Sequence, residues 1–197
     1  RTGLLVAFEG IDGGGKSTQL RRPLARLRDG GREVVELREP TGGPIGQEIR
    51  RLARAGRLDG RREMELFLED RAQNVRENIA PGLERGAVVL LDRYYSSSMA
   101  YQGARGIDPE EIRRRNEAIA PRPDCVLIFD LPVEEALARL NARGGGADLF
   151  EKREYLERVD AIFRALDWPE AVRIDAAAEA AAVQQAVRAA LAPFLAR

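Results

Sequence analysis

One segment near the beginning of the chain has the residue types and spacing of a phosphate-binding loop. Residues 10–17, GIDGGGKS, fit the pattern G-x-x-x-x-G-K-[ST], in which glycines let the backbone turn tightly against a polyphosphate. The expected chemistry is binding of a nucleoside triphosphate, with Lys16 on its phosphates and the Ser17 hydroxyl on Mg²⁺. A glycine-rich turn with a chance lysine is the alternative interpretation. The residues predicted to bind the nucleotide here are Gly10, Gly13, Gly14, Gly15, Lys16, Ser17 and Thr18.

A second group of polar residues follows an apolar run at residues 87–91. Asp92 comes directly after this run, at the sheet edge where the phosphate loop is expected, and its carboxylate could orient Mg²⁺ or the waters around it. Arg93 comes next, and its planar guanidinium could hold a phosphate. Alternatively, Asp92 caps a helix and Arg93 is exposed to solvent. Both interpretations are open at this point.

Composition excludes several classes of site. The 197 residues include 32 basic and 32 acidic side chains, so no overall field attracts nucleic acid or an anionic membrane. The absence of histidine excludes histidine acid–base chemistry and histidine metal sites. The single cysteine, Cys125, excludes an internal disulfide and lies in an apolar run, which predicts a core residue. Because neither a membrane-spanning run nor a signal-peptide pattern is found, we expect a cytoplasmic enzyme.

The elements that must position these residues alternate between strands and helices. Strands are predicted at residues 4–9, 33–37, 87–91, 125–131 and 172–174. Helices are predicted at residues 16–28, 45–55, 63–78, 97–101, 109–120, 133–142 and 154–166. Pro23 is expected to bend the first helix. A last helix is expected in the alanine-rich tail, where Val183, Val187, Leu191 and Phe194 share one face.

This alternation predicts the fold class. Strands separated by helices imply right-handed crossovers and a three-layer α/β fold, with five parallel strands flanked by helices. The nucleotide is then expected at the carboxyl ends of the strands. No linker, charge block or repeat divides residues 1–197, so a single domain is predicted.

Several segments together resemble those of bacterial thymidylate kinases. They are the phosphate loop after Phe8-Glu9, the turn Arg38-Glu39-Pro40, residues 67–71, and the segment from Asp92-Arg93-Tyr94 to Tyr101-Gln102-Gly103. The resemblance covers essentially the whole chain and implies a P-loop nucleoside-monophosphate kinase fold. It further implies transfer of the γ-phosphoryl group of ATP to dTMP, giving dTDP and ADP for dTTP synthesis, with Mg²⁺ as cofactor. A homodimer that pairs helices is also implied, with small-molecule substrates rather than nucleic acid or membrane as partners.

The resemblance assigns the acceptor site residue by residue. The implied dTMP-binding residues are Asp12, Arg38, Phe67, Arg71, Arg93, Ser98, Tyr101 and Gln102. Phe67 would stack on thymine and Arg71 would bond a base carbonyl; the two are four residues apart, on one helix face. Ser98 and Gln102 would contact the base edge, and Tyr101 would lie near the sugar and disfavour a 2′-hydroxyl. Phe67 as a core residue and Tyr101 as a helix-packing residue are the alternatives.

For the reacting phosphates the resemblance implies a further set of contacts. Arg93 would hold the dTMP phosphate, Asp12 would lie near the acceptor and its metal, and Ser17 and Asp92 would serve Mg²⁺. A mobile lid is expected at about residues 143–153, where glycines could supply a hinge that closes over ATP. Arg143 would pack against adenine near residues 175–177, although an arginine at a helix C-terminus also has a dipole explanation.

The chain departs from the family at two positions that concern one arginine. Some relatives carry an arginine in the phosphate loop, where this chain has Gly13, and others carry it in the lid, where this chain has Leu149. Arg153, about one helical turn further on, is the nearest substitute, and Arg143 is the other candidate. The predicted catalytic residues are therefore Lys16, Asp12, Arg93 and Arg153.

Two other functions are compatible with the phosphate loop. A kinase of another nucleoside monophosphate would keep the loop and the lid but not the Phe67–Arg71 pair together with the Tyr101-Gln102 segment. A regulatory nucleotide-binding module would have no clear use for the charged groups of Asp12, Arg71 and Arg93. A kinase of this type needs no general base, because its acceptor is a phosphate oxygen that is already ionised.

Overall fold

The computed structural model describes residues 2–56, 59–142 and 149–195. Its strands are β1 (Leu4–Glu9), β2 (Val34–Arg38), β3 (Val88–Asp92), β4 (Cys125–Asp130) and β5 (Ala171–Asp175). They form one sheet in the order β2-β3-β1-β4-β5, and every neighbouring pair is parallel. The predicted five-stranded parallel α/β architecture is therefore confirmed.

Helices connect the strands and cover the sheet. They are α1 (Lys16–Asp29), α2 (Pro44–Arg54), α3 (Gly60–Asn74), α4 (Ala80–Glu84), α5 (Tyr95–Gly103), α6 (Pro109–Glu117), α7 (Val133–Asn141), α8 (Leu149–Ala165) and α9 (Ala180–Leu195). A π-helical turn, Val75–Ile79, joins α3 to α4. No helix in the described parts of the chain combines the length and apolar character needed to cross a membrane.

Some helix boundaries differ from the prediction. Helix α3 starts at Gly60 rather than at residue 63, because the Asp59 side chain caps it and accepts from the Arg62 N–H at 2.9 Å. The same helix passes into the π turn after Asn74 instead of running on to residue 78. Helix α8 starts at Leu149, so the second half of the predicted lid, residues 149–153, is helical. Residues 143–148, the first half, lie outside the described residues.

The core lies on both faces of the central strands. The side chains of β3 are fully buried and those of β1 and β4 nearly so, as expected for a parallel sheet with helices on both sides. Cys125 is among these buried residues, and Val183, Val187 and Leu191 of α9 pack into the same core, as predicted.

The strand register brings the functional end of the sheet together. Phe8 of β1 and Arg38 of β2 are both paired with Asp92 of β3, so these strands end side by side. Glu9 follows on β1 and pairs with Ile128 of β4. Charged residues that are far apart in sequence therefore meet at one edge, directly beneath the loop that follows β1.

Candidate active site

The loop between β1 and α1 needs glycine for steric reasons. Gly10 has φ 127°, and a Cβ atom there would lie 2.6 Å from the carbonyl oxygen of Phe129 on β4. Gly13 has φ 90°, and a Cβ there would lie 2.9 Å from the carbonyl oxygen of Ala136 on α7. Both positions favour glycine by backbone conformation and by lack of space. The loop is thus packed against β4 and α7, and the N-terminus of α1 follows it directly.

Lys16 begins α1 and turns back into the loop. Its ammonium group donates to the carbonyl oxygens of Gly10 at 2.9 Å and Ile11 at 2.7 Å, and the residue is buried. Burial and the nearby charge of Arg93 lower the pKa of Lys16 to about 7, although Asp12, Asp92 and Glu9 act in the opposite direction. A bound polyphosphate would favour the charged form of this lysine.

Ser17 and Asp92 form a pair of oxygen donors beside Lys16. The Ser17 hydroxyl donates to the Asp92 carboxylate at 2.5 Å, and the Arg38 guanidinium lies 3.9 Å from the same carboxylate oxygen. A hydroxyl and a carboxylate are ligands that Mg²⁺ prefers. No cluster of three or more acidic, histidine or cysteine side chains is found in the described residues. Such a pair fits a magnesium ion that takes its remaining ligands from phosphates and water.

Arg93 adopts a backbone conformation that is rare for a residue with a side chain. Its φ is 74°, which directs the guanidinium group across the end of β3 toward the phosphate loop. There it donates to Asp12 at 2.6 Å, to the Ser97 hydroxyl at 2.9 Å and to the Tyr101 hydroxyl at 3.2 Å. It also lies 4.8 Å from the centre of the Tyr101 ring. Several charge-assisted contacts therefore offset the free-energy cost of this backbone conformation.

A second carboxylate, that of Glu9, stabilises the position of Arg93 through the residues at the start of α5. Glu9, at the end of β1, is fully buried and accepts from the Tyr94 N–H and the Ser96 hydroxyl, each at 2.8 Å. It also accepts from the Ser97 hydroxyl at 2.5 Å, and that hydroxyl in turn receives the bond from Arg93. Burial raises the pKa of Glu9, while the serine bonds and Arg93 act to lower it. Glu9 thus fixes the start of α5 and, through Ser97, the position of Arg93.

Asp12 carries the other charge next to Arg93. Burial raises the pKa of this carboxyl, but the charges of Arg93 and Lys16 outweigh that effect and the net shift is downward. The Asp12 carboxylate also accepts from the Tyr101 hydroxyl at 3.2 Å. An ionised Asp12 therefore joins the phosphate loop to Arg93 and to α5.

A cleft opens beside Arg93, between α3 and α5. Its lining residues are Asp12, Glu39, Pro40, Glu63, Phe67, Arg71, Arg93, Tyr94, Ser97, Ser98, Tyr101 and Gln102. Phe67 is half-buried and also touches a small apolar cluster around Ile49 and Leu66, separate from the main core. The structure thus brings the predicted acceptor residues, with the exception of Arg38, to one cleft. Arg38 lies on the metal side of Asp92, and its side chain is 68% exposed.

Arg71 is the most deeply buried charge in the cleft wall. Its guanidinium group pairs with Glu39 at 2.6 Å, donates to Ser98 at 3.1 Å and also donates to Asn116. Asn74 donates to the other oxygen of Glu39 at 3.1 Å. A guanidinium has five N–H groups. These contacts engage at most four of them, so one can still donate to a ligand.

Arg153 and Arg143 were the predicted arginines of the lid. Arg153 lies on α8, where it donates to Glu134 of α7 at 2.6 Å and lies 3.9 Å from Glu157. The structure therefore pairs it with the first turn of α7 and does not bring it into contact with Lys16. Arg143 lies outside the described residues.

Sequence analysis missed Arg139, on the last turn of α7. Its guanidinium group donates to the carbonyl oxygen of Gly13 and to that of Ala176, both at 3.3 Å. It thereby joins the phosphate loop to the segment after β5 that was predicted to lie near adenine. The one signal in the sequence, a basic residue at the end of a predicted helix, also has a simple dipole explanation.

Comparisons with known proteins point to one family. A family model described as Thymidylate kinase matches residues 8–187. The thymidylate kinase of Xanthomonas euvesicatoria pv. vesicatoria (strain 85-10) is 49% identical over 181 residues, 92% of this chain and 80% of the relative. That of Akkermansia muciniphila is 49% identical over 191 residues, which cover 97% of this chain and 92% of the relative. The similarity spans the phosphate loop, Arg93 and both helices of the cleft.

The environment of Lys16 generates a testable prediction. Because burial lowers the pKa of Lys16 to about 7, this side chain is mostly neutral at pH 8 without ligand, and a bound triphosphate should charge it. Calorimetric titration of ATP with Mg²⁺ at pH 8, in buffers of different ionisation enthalpy, should give uptake of about one proton per nucleotide. The Lys16→Met variant is the control and should take up none. Equal uptake by both proteins would contradict the assignment.

Proposed function

The chain belongs to the thymidylate kinase family, and from this premise we propose that it transfers the γ-phosphoryl group of ATP to dTMP, with dTDP and ADP as products. The observation that carries the proposal is the position of Arg93 between the phosphate loop and the cleft. Its guanidinium touches Asp12 of the loop and Ser97 and Tyr101 of the cleft wall. A cation there can hold the phosphate of an acceptor whose base lies in the cleft.

The chemistry of the cleft suits a thymine base. Phe67 presents an aromatic face from α3, and the remaining N–H of Arg71 can donate to a base carbonyl. The ring of Tyr101 lies beside Arg93 and Asp12, where the sugar of an acceptor bound by Arg93 would be. A bulky ring at that position supports discrimination against a 2′-hydroxyl.

Transfer in this site depends on alignment and charge. An ionised oxygen of the dTMP phosphate attacks the γ-phosphorus, and the bond from that phosphorus to the bridging oxygen of ADP breaks. Lys16 and the loop N–H groups hold the donor phosphates, and Arg93 holds the acceptor phosphate in line. Asp12 orients Arg93, and the bound phosphates take over part of its role as counter-charge. Ser17 and Asp92 would hold Mg²⁺, which neutralises charge on the donor phosphates when it is bound.

An additional arginine is needed near the transferring phosphoryl group. The phosphate loop has no room for it at Gly13, because any Cβ there would approach the Ala136 carbonyl oxygen. Arg153 is our proposed source, since its present partner Glu134 lies on α7, the helix packed against the loop. Closure of the lid at about residues 143–153 would exchange Glu134 for a phosphate. Arg139 supports the loop from the adenine side, where Arg143 would pack against the base.

Two broader features complete the proposal. The enzyme acts as a homodimer that pairs helices, a state supported by half-buried Ile45 and Leu52 on α2, outside the main core. We also propose that it works in the cytoplasm. Neither feature alters the chemistry described above.

Acceptor preference tests the proposed reaction. Steady-state transfer from ATP with Mg²⁺ is measured for dTMP, dUMP, dCMP and AMP side by side. We expect kcat/KM for dTMP to exceed that for dCMP and for AMP by about 100-fold or more, because the cleft pairs with groups that these bases lack. The Lys16→Ala variant should be inactive with every acceptor. A preference for AMP would indicate a different monophosphate kinase, and ATP binding without any transfer would indicate a binding module.

The two arginines on α7 and α8 are expected to give different kinetic effects. Arg153→Ala should lower kcat about 100-fold with a small change in KM for ATP, since its contact would form only during transfer. Arg139→Ala should mainly raise KM for ATP, because it loosens the loop and the segment after β5. Arg158→Ala, an exposed substitution five residues further along α8, is the control. If kcat of Arg153→Ala equals that of the control, Arg153 is not the additional arginine.

A further inference from the structure

The side chain of Tyr101 is supported by a residue of another helix. Tyr101 lines the cleft, and its hydroxyl group contacts Asp12 and Arg93. The ring of Tyr155, on α8, meets the Tyr101 ring edge to face, with the ring centres 6.2 Å apart and the planes at 70°. In the described part of the chain, Tyr155 is not among the residues that line the cleft. It therefore contacts Tyr101 from outside the cleft.

Two hydrogen bonds fix the position of Tyr155. Its hydroxyl donates to the backbone carbonyl oxygen of Tyr101 at 3.0 Å. That carbonyl is in the last turn of α5, where the Arg105 N–H that would bond it in a longer helix donates to the Gln102 carbonyl oxygen instead. The Arg105 guanidinium donates to the Tyr155 hydroxyl at 3.4 Å and lies 5.5 Å from the centre of its ring. Tyr155 is thus held between Tyr101 and Arg105.

Helices α8 and α5 are also packed closely beyond this point. A Cβ atom at Gly103 would lie 2.9 Å from the Cδ1 atom of Ile162, so α8 approaches α5 at a position where α5 has no side chain. Val159, between Tyr155 and Ile162 on α8, is fully buried. A packed contact of this kind leaves little free volume. The ring of Tyr101 therefore has no space into which it could withdraw toward α8.

We propose that Tyr155 is a positioning residue that sets selectivity for a 2′-deoxy sugar, because its ring fills the space behind the ring of Tyr101. A 2′-hydroxyl on the acceptor sugar would have to displace Tyr101, and Tyr155 prevents that displacement. The cost of such a clash depends on how far the neighbouring side chains can yield. This inference rests on the proposed function, since it concerns the sugar of the same acceptor and the role proposed there for Tyr101.

The test uses two acceptors that carry the same base, dTMP and 5-methyluridine 5′-monophosphate, which differ only in the 2′-hydroxyl. The readout is the ratio of kcat/KM for dTMP to that for the ribonucleotide. Tyr155→Ala removes the supporting ring, so Tyr101 can withdraw and the ratio should fall about tenfold. The kcat/KM for the ribonucleotide should itself rise in this variant, which general damage to the enzyme would not produce.

Matched variants separate support of Tyr101 from other effects. Tyr155→Phe keeps the ring and loses only the hydroxyl, so its ratio should stay within about twofold of wild type. Ile162→Ala removes packing between α8 and α5 at Gly103, and should leave the ratio unchanged. With Tyr101→Ala already present, Tyr155→Ala should have no further effect on the ratio. Thermal unfolding checks that each variant is folded, and Tyr155→Leu, a smaller loss of volume, replaces Tyr155→Ala if that variant does not fold.

The possible failures are distinguishable. If wild type does not phosphorylate dTMP, the proposed function itself is wrong. If wild type transfers equally well to both acceptors, Tyr101 does not exclude a 2′-hydroxyl and this inference is overturned, while transfer to dTMP stands. An unchanged ratio in Tyr155→Ala overturns the inference alone. An equal loss of the ratio in Ile162→Ala or in Tyr155→Phe also overturns it, because the effect would then come from loosened helices or from the hydroxyl and not from the supporting ring.

Discussion

The guanidinium group of Arg93 is held between two carboxylates, and the geometry of both proposed phosphate sites depends on it. Asp12 binds it directly from the phosphate loop, while the buried Glu9 holds it through the Ser97 hydroxyl. A charge that is largely removed from water needs such partners. The positive charge of Arg93 also helps to lower the pKa of Lys16. The charges at this edge of the sheet therefore balance one another, and the phosphates of two substrates would change their pairing without recruiting new groups.

In the wall of the proposed base site, a buried guanidinium is likewise paired with a carboxylate. Arg71 is buried against Glu39, and Asn74, Asn116 and Ser98 saturate most of the remaining hydrogen-bonding groups. Burial raises the pKa of Glu39, while Arg71 and Asn74 act to lower it. Removal of one member of such a network leaves an unpaired buried charge, which costs far more than the pair gains. The wall is therefore rigid, with few groups left to contact a ligand. Rigidity of this kind is what allows single hydrogen bonds to discriminate between bases.

The features that could be predicted from the sequence are those formed by residues close together along the chain. The phosphate loop, the strand that ends in Asp92 and the spacing of Phe67 and Arg71 are patterns within a few residues, and their positions follow from periodicity. Glu39, Asn116 and Arg139 were missed because their partners lie more than thirty residues away along the chain. The early start of α3 depends on the Asp59 cap, and the π turn after Asn74 interrupts a helical pattern that otherwise continues.

The most direct test compares two effects of Arg93→Gln. One is the change in kcat/KM for dTMP, and the other is the change in the dissociation constant for ATP. Because Arg93 is assigned to the acceptor phosphate, kcat/KM for dTMP should fall about 100-fold or more. The dissociation constant for ATP should stay the same or decrease, since loss of the arginine raises the pKa of Lys16 and favours its charged form. Weakened ATP binding with an unchanged kcat/KM for dTMP would assign Arg93 to the donor site and contradict the account.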